Sequence, residues 1–213
     1  MVKINIAMDG PGGAGKTTIA RLLAEKLNFQ FLDSGLLYRH FATFYQKNNA
    51  SRNEIEKLLP AWKNWLNGNQ FQIVAELEKV REQLQTPEIS KLASQLSVQP
   101  ELRKIASNFQ RKLTENKGWV VVGRDITSAV LPQAEIKIFL TASLAERAKR
   151  RNKQLSSNSE AIQQELQARD ERDRNRSLTP LLKTADSWEL DTTHLSPTQS
   201  LEKILTYLHS QGY

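Results

Sequence analysis

Two spacings of apolar residues run through the chain. Lys3–Met8 alternates apolar and polar positions and then gives way to DGPGGAGK, which reads as a strand entering a glycine-rich loop. Across Lys16–Leu27 the apolar residues Ile19, Ala20, Leu22, Leu23 and Leu27 recur at helical spacing. The pair Phe31-Leu32 predicts a second short strand that ends at Asp33-Ser34-Gly35, and a helix is expected from Leu36 to Lys47. Residues near 52–67 read as helix, with Trp62 and Trp65 one turn apart and taken as core packing. Phe71–Ala75 predicts a short strand, Glu76–Gln85 fits either strand or helix, and two helices are expected to open near Pro87 and Pro100, since proline suits a first turn.

In the second half, WVVVG (119–123) and IKIFL (136–140) have the near-continuous apolar character of buried parallel strands. Ser143 with Glu146 three residues on predicts a capping box, opening a helix that carries ERAKRR. A polar loop is expected at Ser156–Ser159, then a long charge-dense helix from about Glu160 to Arg174. WELD (188–191) predicts a last strand, and Ser196-Pro197 opens a C-terminal helix to about Gln211. Strands alternating with helices predict an α/β fold whose parallel sheet is covered on both faces.

Composition narrows the classes. With 213 residues and 39% hydrophobic content there is material for one core, so the chain fits one domain with insertions or a domain with a small lobe. A formal net charge of +7 suits an anionic partner such as a nucleotide, a nucleic acid or a membrane, or a merely lysine-rich surface. The absence of cysteine excludes disulfides, thiolate zinc sites and a cysteine nucleophile. MVKINIAMDG lacks the features of a signal peptide, and no run approaches the ~20 apolar residues of a membrane span, so a soluble cytoplasmic protein is expected. His40, His194 and His209 show no metal-ligand spacing.

The strongest local signal is GPGGAGKTT, Gly10 to Thr18, which fits the phosphate-loop pattern G-x-x-x-x-G-K-S/T in full and lies between a predicted strand and a predicted helix. Glycines let the backbone wrap closely and turn N–H groups toward phosphate oxygens, and the helix start adds donors and partial positive charge. Gly10, Pro11, Gly12, Gly13, Ala14, Gly15, Lys16, Thr17 and Thr18 are therefore the candidate nucleoside triphosphate-binding residues, with Lys16 reaching the β- and γ-phosphates and the Thr17 hydroxyl ligating Mg²⁺. The motif alone does not separate a kinase from an ATPase or a GTPase.

Further segments resemble the cytidylate kinases. LDSGLLYR (32–39) resembles that family's segment after the first helix; VVGRDI (121–126), its GRD strand end; KIFLTASLAERAKRR (137–151), the next strand and lid-entry helix. RDERDRNRSLTPL (169–181) resembles the lid signature, LDTTHLS (190–196) the last strand and turn, and TPEIS with ASQ (86–95) the nucleotide-specific insertion. The resemblance implies a P-loop NTPase-type parallel sheet flanked by helices, with a small nucleotide-binding insertion at about 59–98 and a helical lid at about 151–177. The core would then be 1–58, 99–150 and 178–213. It also implies ATP-dependent phosphorylation of CMP or dCMP with Mg²⁺, by a monomer needing neither nucleic acid nor membrane.

By the same resemblance, Arg39 and Arg124 would hold the acceptor phosphate, and Ser94, Arg103 and Asp125 would read the cytosine edge. Arg169 and Asp173 would hold the ribose hydroxyls, Arg176 would lie near the phosphates, and Ser34 would touch the acceptor. Lys16, Arg124, Asp125 and Arg176 are the expected catalytic set, and Arg147 and Arg151 the expected donor-phosphate contacts. Arginine suits these tasks because its planar fork binds phosphate through two parallel hydrogen bonds. The plainer readings are a solvated helix face for Arg147, Arg150 and Arg151, and surface ion pairs at i,i+3 and i,i+4 for Arg169, Asp173 and Arg176.

Three features depart from the family pattern. The GRD segment usually follows an acidic residue, here Val122, leaving Asp9, Asp33 and Asp125 as the carboxylates that could support the metal. The loop ends Lys-Thr-Thr where Lys-Gly-Thr is frequent, which supplies the hydroxyl at Thr17. The insertion reads as shortened, with little sign of a three-stranded lobe. A P-loop kinase for another nucleotide, shikimate or a sugar acid, a nucleic-acid-binding P-loop protein and an inactive nucleotide-binding module are the competing readings.

Overall fold

A computed structural model describes residues 2–51, 54–155 and 159–213. In chain order the first elements are β1 (Asn5–Asp9), α1 (Lys16–Leu27), β2 (Gln30–Asp33), α2 (Ser34–Lys47), α3 (Ile55–Leu66), α4 (Gln70–Lys79), α5 (Arg81–Leu84), α6 (Pro87–Leu96) and α7 (Pro100–Thr114). They are followed by β3 (Trp119–Val122), a π-helical turn (Ile126–Val130), β4 (Ile136–Thr141), α8 (Leu144–Leu155), α9 (Ser159–Arg174), β5 (Trp188–Asp191) and α10 (Pro197–Ser210). Two compact units emerge: Met1–Leu32 with Lys117–Tyr213, and Asp33–Asn116.

The first unit is built on a five-stranded sheet of order β2-β3-β1-β4-β5. The pairs β1–β3, β1–β4 and β4–β5 are parallel, which sets Met8 beside Val122 and Ile138, and Leu140 beside Leu190. All four residues of β3 are buried, as their apolar run predicts. Ile6, Met8, Val120, Ile138 and Leu140 pack with Ile19, Ala20 and Leu23 of α1 and with Ile204 and Leu208 of α10. Each such Ile or Leu, fully buried, contributes about 2 kcal/mol. α1 stops where Asn28 turns left-handed at φ 54° and its N–H caps Ala24 and Glu25 carbonyls.

The second unit holds α2–α7. Asp33 caps α2 by accepting from Gly35 N–H at 3.0 Å, and Leu36, Leu37, Phe41 and Ala42 form its buried face. Trp62 is buried and meets Phe41 edge-on at 5.2 Å, while Trp65 stacks on His40 at 4.0 Å, in keeping with a packing role for both tryptophans.

Two local expectations are corrected. Phe71–Ala75 is helical, within α4, and so are most of the residues at 76–85. Asn69 caps α4 by accepting from Gln72 N–H at 3.1 Å, Ile73 and Leu77 share its buried face at i,i+4, and Phe71 is left 60% exposed. The capping box at α8 is only half made: Ser143 Oγ accepts from Glu146 N–H, but Ser143 N–H donates to Thr193 Oγ1 and the Glu146 carboxylate turns to Arg150. The full box is at α10, between Ser196 and Gln199. Of the polar loop expected at Ser156–Ser159, residues 156–158 lie outside the described residues and Ser159 opens α9.

Candidate functional site

The loop between β1 and α1 turns through positive φ at three glycines, Gly10, Gly13 and Gly15. Gly10 has φ 146°, and a Cβ there would lie 1.9 Å from the Leu140 carbonyl oxygen of β4. Gly15, at φ 89°, is the N-cap of α1 and offers no side-chain acceptor, so the first N–H groups of α1 are left for an anion. Lys16 Nζ donates to the Gly10 and Pro11 carbonyls, each at 2.7 Å. Arg124 Nη1 donates to Gly10 O as well. On the other side of the loop the buried Thr192 hydroxyl lies 3.1 Å from Ala14 O and 3.0 Å from Thr141 O, and Arg150 bonds it through both its hydroxyl and its carbonyl.

Charged residues of the RDERDRNR segment gather against this loop. Asp173 is buried between Arg124, 2.8 Å away, and Arg176, 3.0 Å away. Burial alone would raise its pKa, but Arg124, then Arg176, Arg169 and Lys16 outweigh burial and hold the carboxyl below its ordinary value. Asp170, one turn earlier on α9, accepts from Gly12 N–H at 3.3 Å and pairs with Arg147 Nη1 at 2.6 Å. Arg147 is buried and also donates to Gly12 O and Ala142 O, each at 3.0 Å. Arg151, one turn on in α8, is half-buried.

The acidic position missing from the GRD segment is truly apolar in its setting: Val122 is 1% exposed and belongs to the core. Of the carboxylates that could replace it, Asp9 is fully buried and accepts from Ile126 N–H, Thr127 N–H and the Thr127 hydroxyl at 2.7–2.9 Å. Burial raises its pKa to about 6 against those three donors, with Asp125 adding to the rise. Its oxygens are thus occupied in stapling β1 to the π-helical turn. That turn hangs from Asp125, whose carbonyl accepts from Ala129 and Val130 N–H, and such turns recur at functional sites.

Within the second unit, Asp33 accepts from Arg81 Nη1 at 3.0 Å, and Arg81 closes a fork on Glu78 at 2.6 and 2.9 Å. Burial works to raise the pKa of Asp33, but Arg39 and Arg81 together carry it below its ordinary value. Arg39 Nε reaches Ser90 Oγ at 3.4 Å. Arg103 is buried, donates to Ser97 O at 2.9 Å and lies over the Tyr38 ring at 5.6 Å. Ser34 is buried, and the Ser94 hydroxyl is buried without a hydrogen-bond partner among the described residues.

The residues singled out in sequence thus fall in two groups. The phosphate loop, Arg124, Arg147, Asp173 and Arg176 come together in the first unit, where Arg169 acts on Asp173 and Asp125 on Asp9 through their charge; Ser34, Arg39, Ser94 and Arg103 lie in the second. Sequence reasoning missed Asp170, Arg81 and Thr192. Asp170 stood inside a quoted motif without a role, and Arg81 stood in the segment that fitted two structures.

Known proteins place the chain in a family. A profile of the cytidylate kinase family matches residues 6–210. The chain is 40% identical over 212 residues to a cytidylate kinase of Carboxydothermus hydrogenoformans, covering 95% of this chain and 96% of that protein. It is 41% identical over 207 residues to a cytidylate kinase of Thermosipho melanesiensis, covering 94% of each. The solved shikimate kinase of Bacteroides thetaiotaomicron superposes with a TM-score of 0.53 over 98% of this chain and 99% of that one, at 12% identity, a likeness of fold alone. With a family profile spanning both units and relatives aligned almost end to end, the chain belongs to the cytidylate kinase family.

Proposed function

We propose that this protein transfers the γ-phosphoryl group of ATP to CMP or dCMP. The observation that carries the reading is the complete phosphate loop with Lys16, Arg124 and Arg176 gathered at it, in a chain of this family. Phosphoryl transfer asks for positioning and charge neutralisation more than for covalent chemistry, and that is what this set of residues offers.

Lys16 is read as the contact to the β- and γ-phosphates, and the N–H groups of Gly13–Thr18 as the cradle. Arg39, Arg124 and Arg176 are assigned to phosphate, Asp173 and Arg169 to the ribose, and Ser94, Arg103 and Asp125 to the cytosine edge, with Ser34 on the acceptor. A carboxylate that accepts from an exocyclic amine rejects uracil, which lacks that donor. Ser94 suits such a contact because its buried hydroxyl still needs a partner. Arg151 is retained as a donor-phosphate contact; Arg147 serves the loop through Gly12. Among the described residues no three acidic or histidine side chains gather into a metal cage. The Thr17 hydroxyl would hold Mg²⁺, with water and phosphate oxygens filling the other positions. The ion, when bound, neutralises charge on the transferring group.

An acceptor panel with ATP and Mg²⁺ tests the reading. CMP or dCMP should exceed UMP and AMP in kcat/KM by at least about tenfold, the scale of one net hydrogen bond. Equal use of all four would overturn the cytidylate assignment and leave a general nucleotide kinase.

A further inference from the structure

Among the described residues, the buried apolar cluster of the α8 and α9 hairpin is Ala148, Ile162 and Leu166, with Leu144 packed beside them. The hairpin's attachment to the phosphate loop is largely polar and centres on one residue. Both backbone groups of Gly12 are held by the same ion pair, the N–H by Asp170 from α9 and the carbonyl by Arg147 from α8. Both members of the pair are buried, Asp170 to 5% exposure and Arg147 to 6%. Leu166 closes the fit, since a Cβ on Gly12 would come within 3.2 Å of its methyl group.

A buried ion pair is weak evidence for stability, because desolvation of both groups offsets much of their attraction. Its position says more than its energy. Gly10 and Pro11 are held by Lys16 and Arg124, Ala14 by Thr192, and Gly12 by Asp170 and Arg147. The pair fixes Gly12 from both sides, directly before the N–H groups that face a phosphate. A loop fixed in advance binds its anion without the cost of ordering itself.

We propose that Asp170 is a positioning residue for the donor nucleotide, fixing the phosphate loop at Gly12 together with Arg147 and making the shape of the loop depend on the docking of α9. The inference rests on the reading that this loop takes the donor triphosphate. It assigns Asp170 no contact with either substrate.

The test is calorimetric titration of the full chain with a non-hydrolysable ATP analogue and Mg²⁺, and separately with CMP. Asp170→Ala should weaken the analogue roughly tenfold, the loss expected for a charged hydrogen bond, and CMP by less than about twofold. Since that variant leaves Arg147 buried without its carboxylate, Arg147→Met combined with Asp170→Ala provides the control. The double variant should recover its melting temperature while the analogue stays weak. Unchanged analogue binding in Asp170→Ala, equal loss of both ligands, or recovery of affinity together with melting temperature would each overturn the proposal. A wild-type chain that binds the analogue but not CMP would sink the acceptor reading alone, and the analogue ratio would still decide the role of Asp170.

Discussion

At the phosphate loop Lys16 is drawn to backbone carbonyls, and Arg124 and Arg147 to carbonyls and carboxylates together; in the helical unit Asp33–Asn116, Arg81 is drawn to two carboxylates. Lys16, Arg124 and Arg147 each donate to a loop carbonyl between Gly10 and Gly12. Arg81 instead bridges Asp33 and Glu78, and Arg39 reaches Ser90. The difference has a physical consequence. Removing Lys16 takes a donor from two backbone carbonyls, one of which keeps Arg124. Removing Arg81 leaves the buried Asp33 short of its counter-charge, which costs more stability.

The largest effect should therefore come from the loop and appear in catalysis. Lys16→Ala is expected to lower kcat by roughly a thousandfold, the scale seen when a transition-state donor is removed. Its melting temperature should fall less than that of a variant that strips a buried carboxylate of its counter-charge, because Lys16 is only half-buried and the Gly10 carbonyl keeps Arg124. Steady-state kinetics with a thermal melt checks both. Near-normal turnover would remove Lys16 from the mechanism; a collapse in stability would erase the contrast between the two regions.

That contrast also explains what was legible in the sequence. The loop is nine contiguous residues, and each supplies its own part of the geometry, so the start of α1 at Lys16 was readable to the residue. The sheet was readable for a similar reason, since WVVV and IKIFL are local runs whose burial their composition dictates. Where partners come from afar, no local pattern announces them. Gly12 and Asp170 are 158 residues apart, Asp9 and Thr127 are 118 apart, and Asp33 and Arg81 are 48 apart. The π-helical turn left no trace either, because what holds it is Asp9 at the end of another strand. The error at Phe71–Ala75 is of another kind. FQIVA satisfies period two through Phe71, Ile73 and Ala75, yet Ile73 and Leu77 satisfy helical spacing over a longer stretch with a capping Asn69.

A smaller effect should follow in the helical unit. Arg81→Ala is expected to cost about 2 kcal/mol of stability and lower the melting temperature by roughly 5 °C, because its side chain is only 15% exposed and serves two carboxylates. ATP affinity should change by less than about twofold. Chemical denaturation and nucleotide titration measure the two quantities. A variant as stable as wild type would mean that Asp33 finds enough counter-charge in Arg39 alone, and the two regions would then respond alike.

The smallest effect, and the one that sets the regions against each other most directly, is in pH dependence. Asp9 in the first unit and His40 in the second are both perturbed by burial, with opposite consequences. Burial lifts the pKa of Asp9 to about 6, so the folded state holds a proton that the unfolded chain has already released; the stability this confers is lost as pH rises from 5 to 7. Burial, with Lys47 adding to it, pushes His40 down to about 4, and its Nδ1 accepts from Trp62 Nε1 at 3.1 Å, a bond that a proton there would break. The unfolded histidine takes up its proton near its ordinary pKa while the folded one stays neutral, so stability is gained as pH rises over the same window. Each contribution is on the order of 1 kcal/mol between pH 5 and 7, and in the wild type they largely cancel. Asp9→Asn should therefore leave a protein whose stability climbs with pH across this range, and His40→Gln one whose stability falls, measured as melting temperature against pH. Parallel curves for the two variants would mean that burial does not act on the two groups with opposite sign. Divergence of only one from wild type would locate the pH response in a single unit.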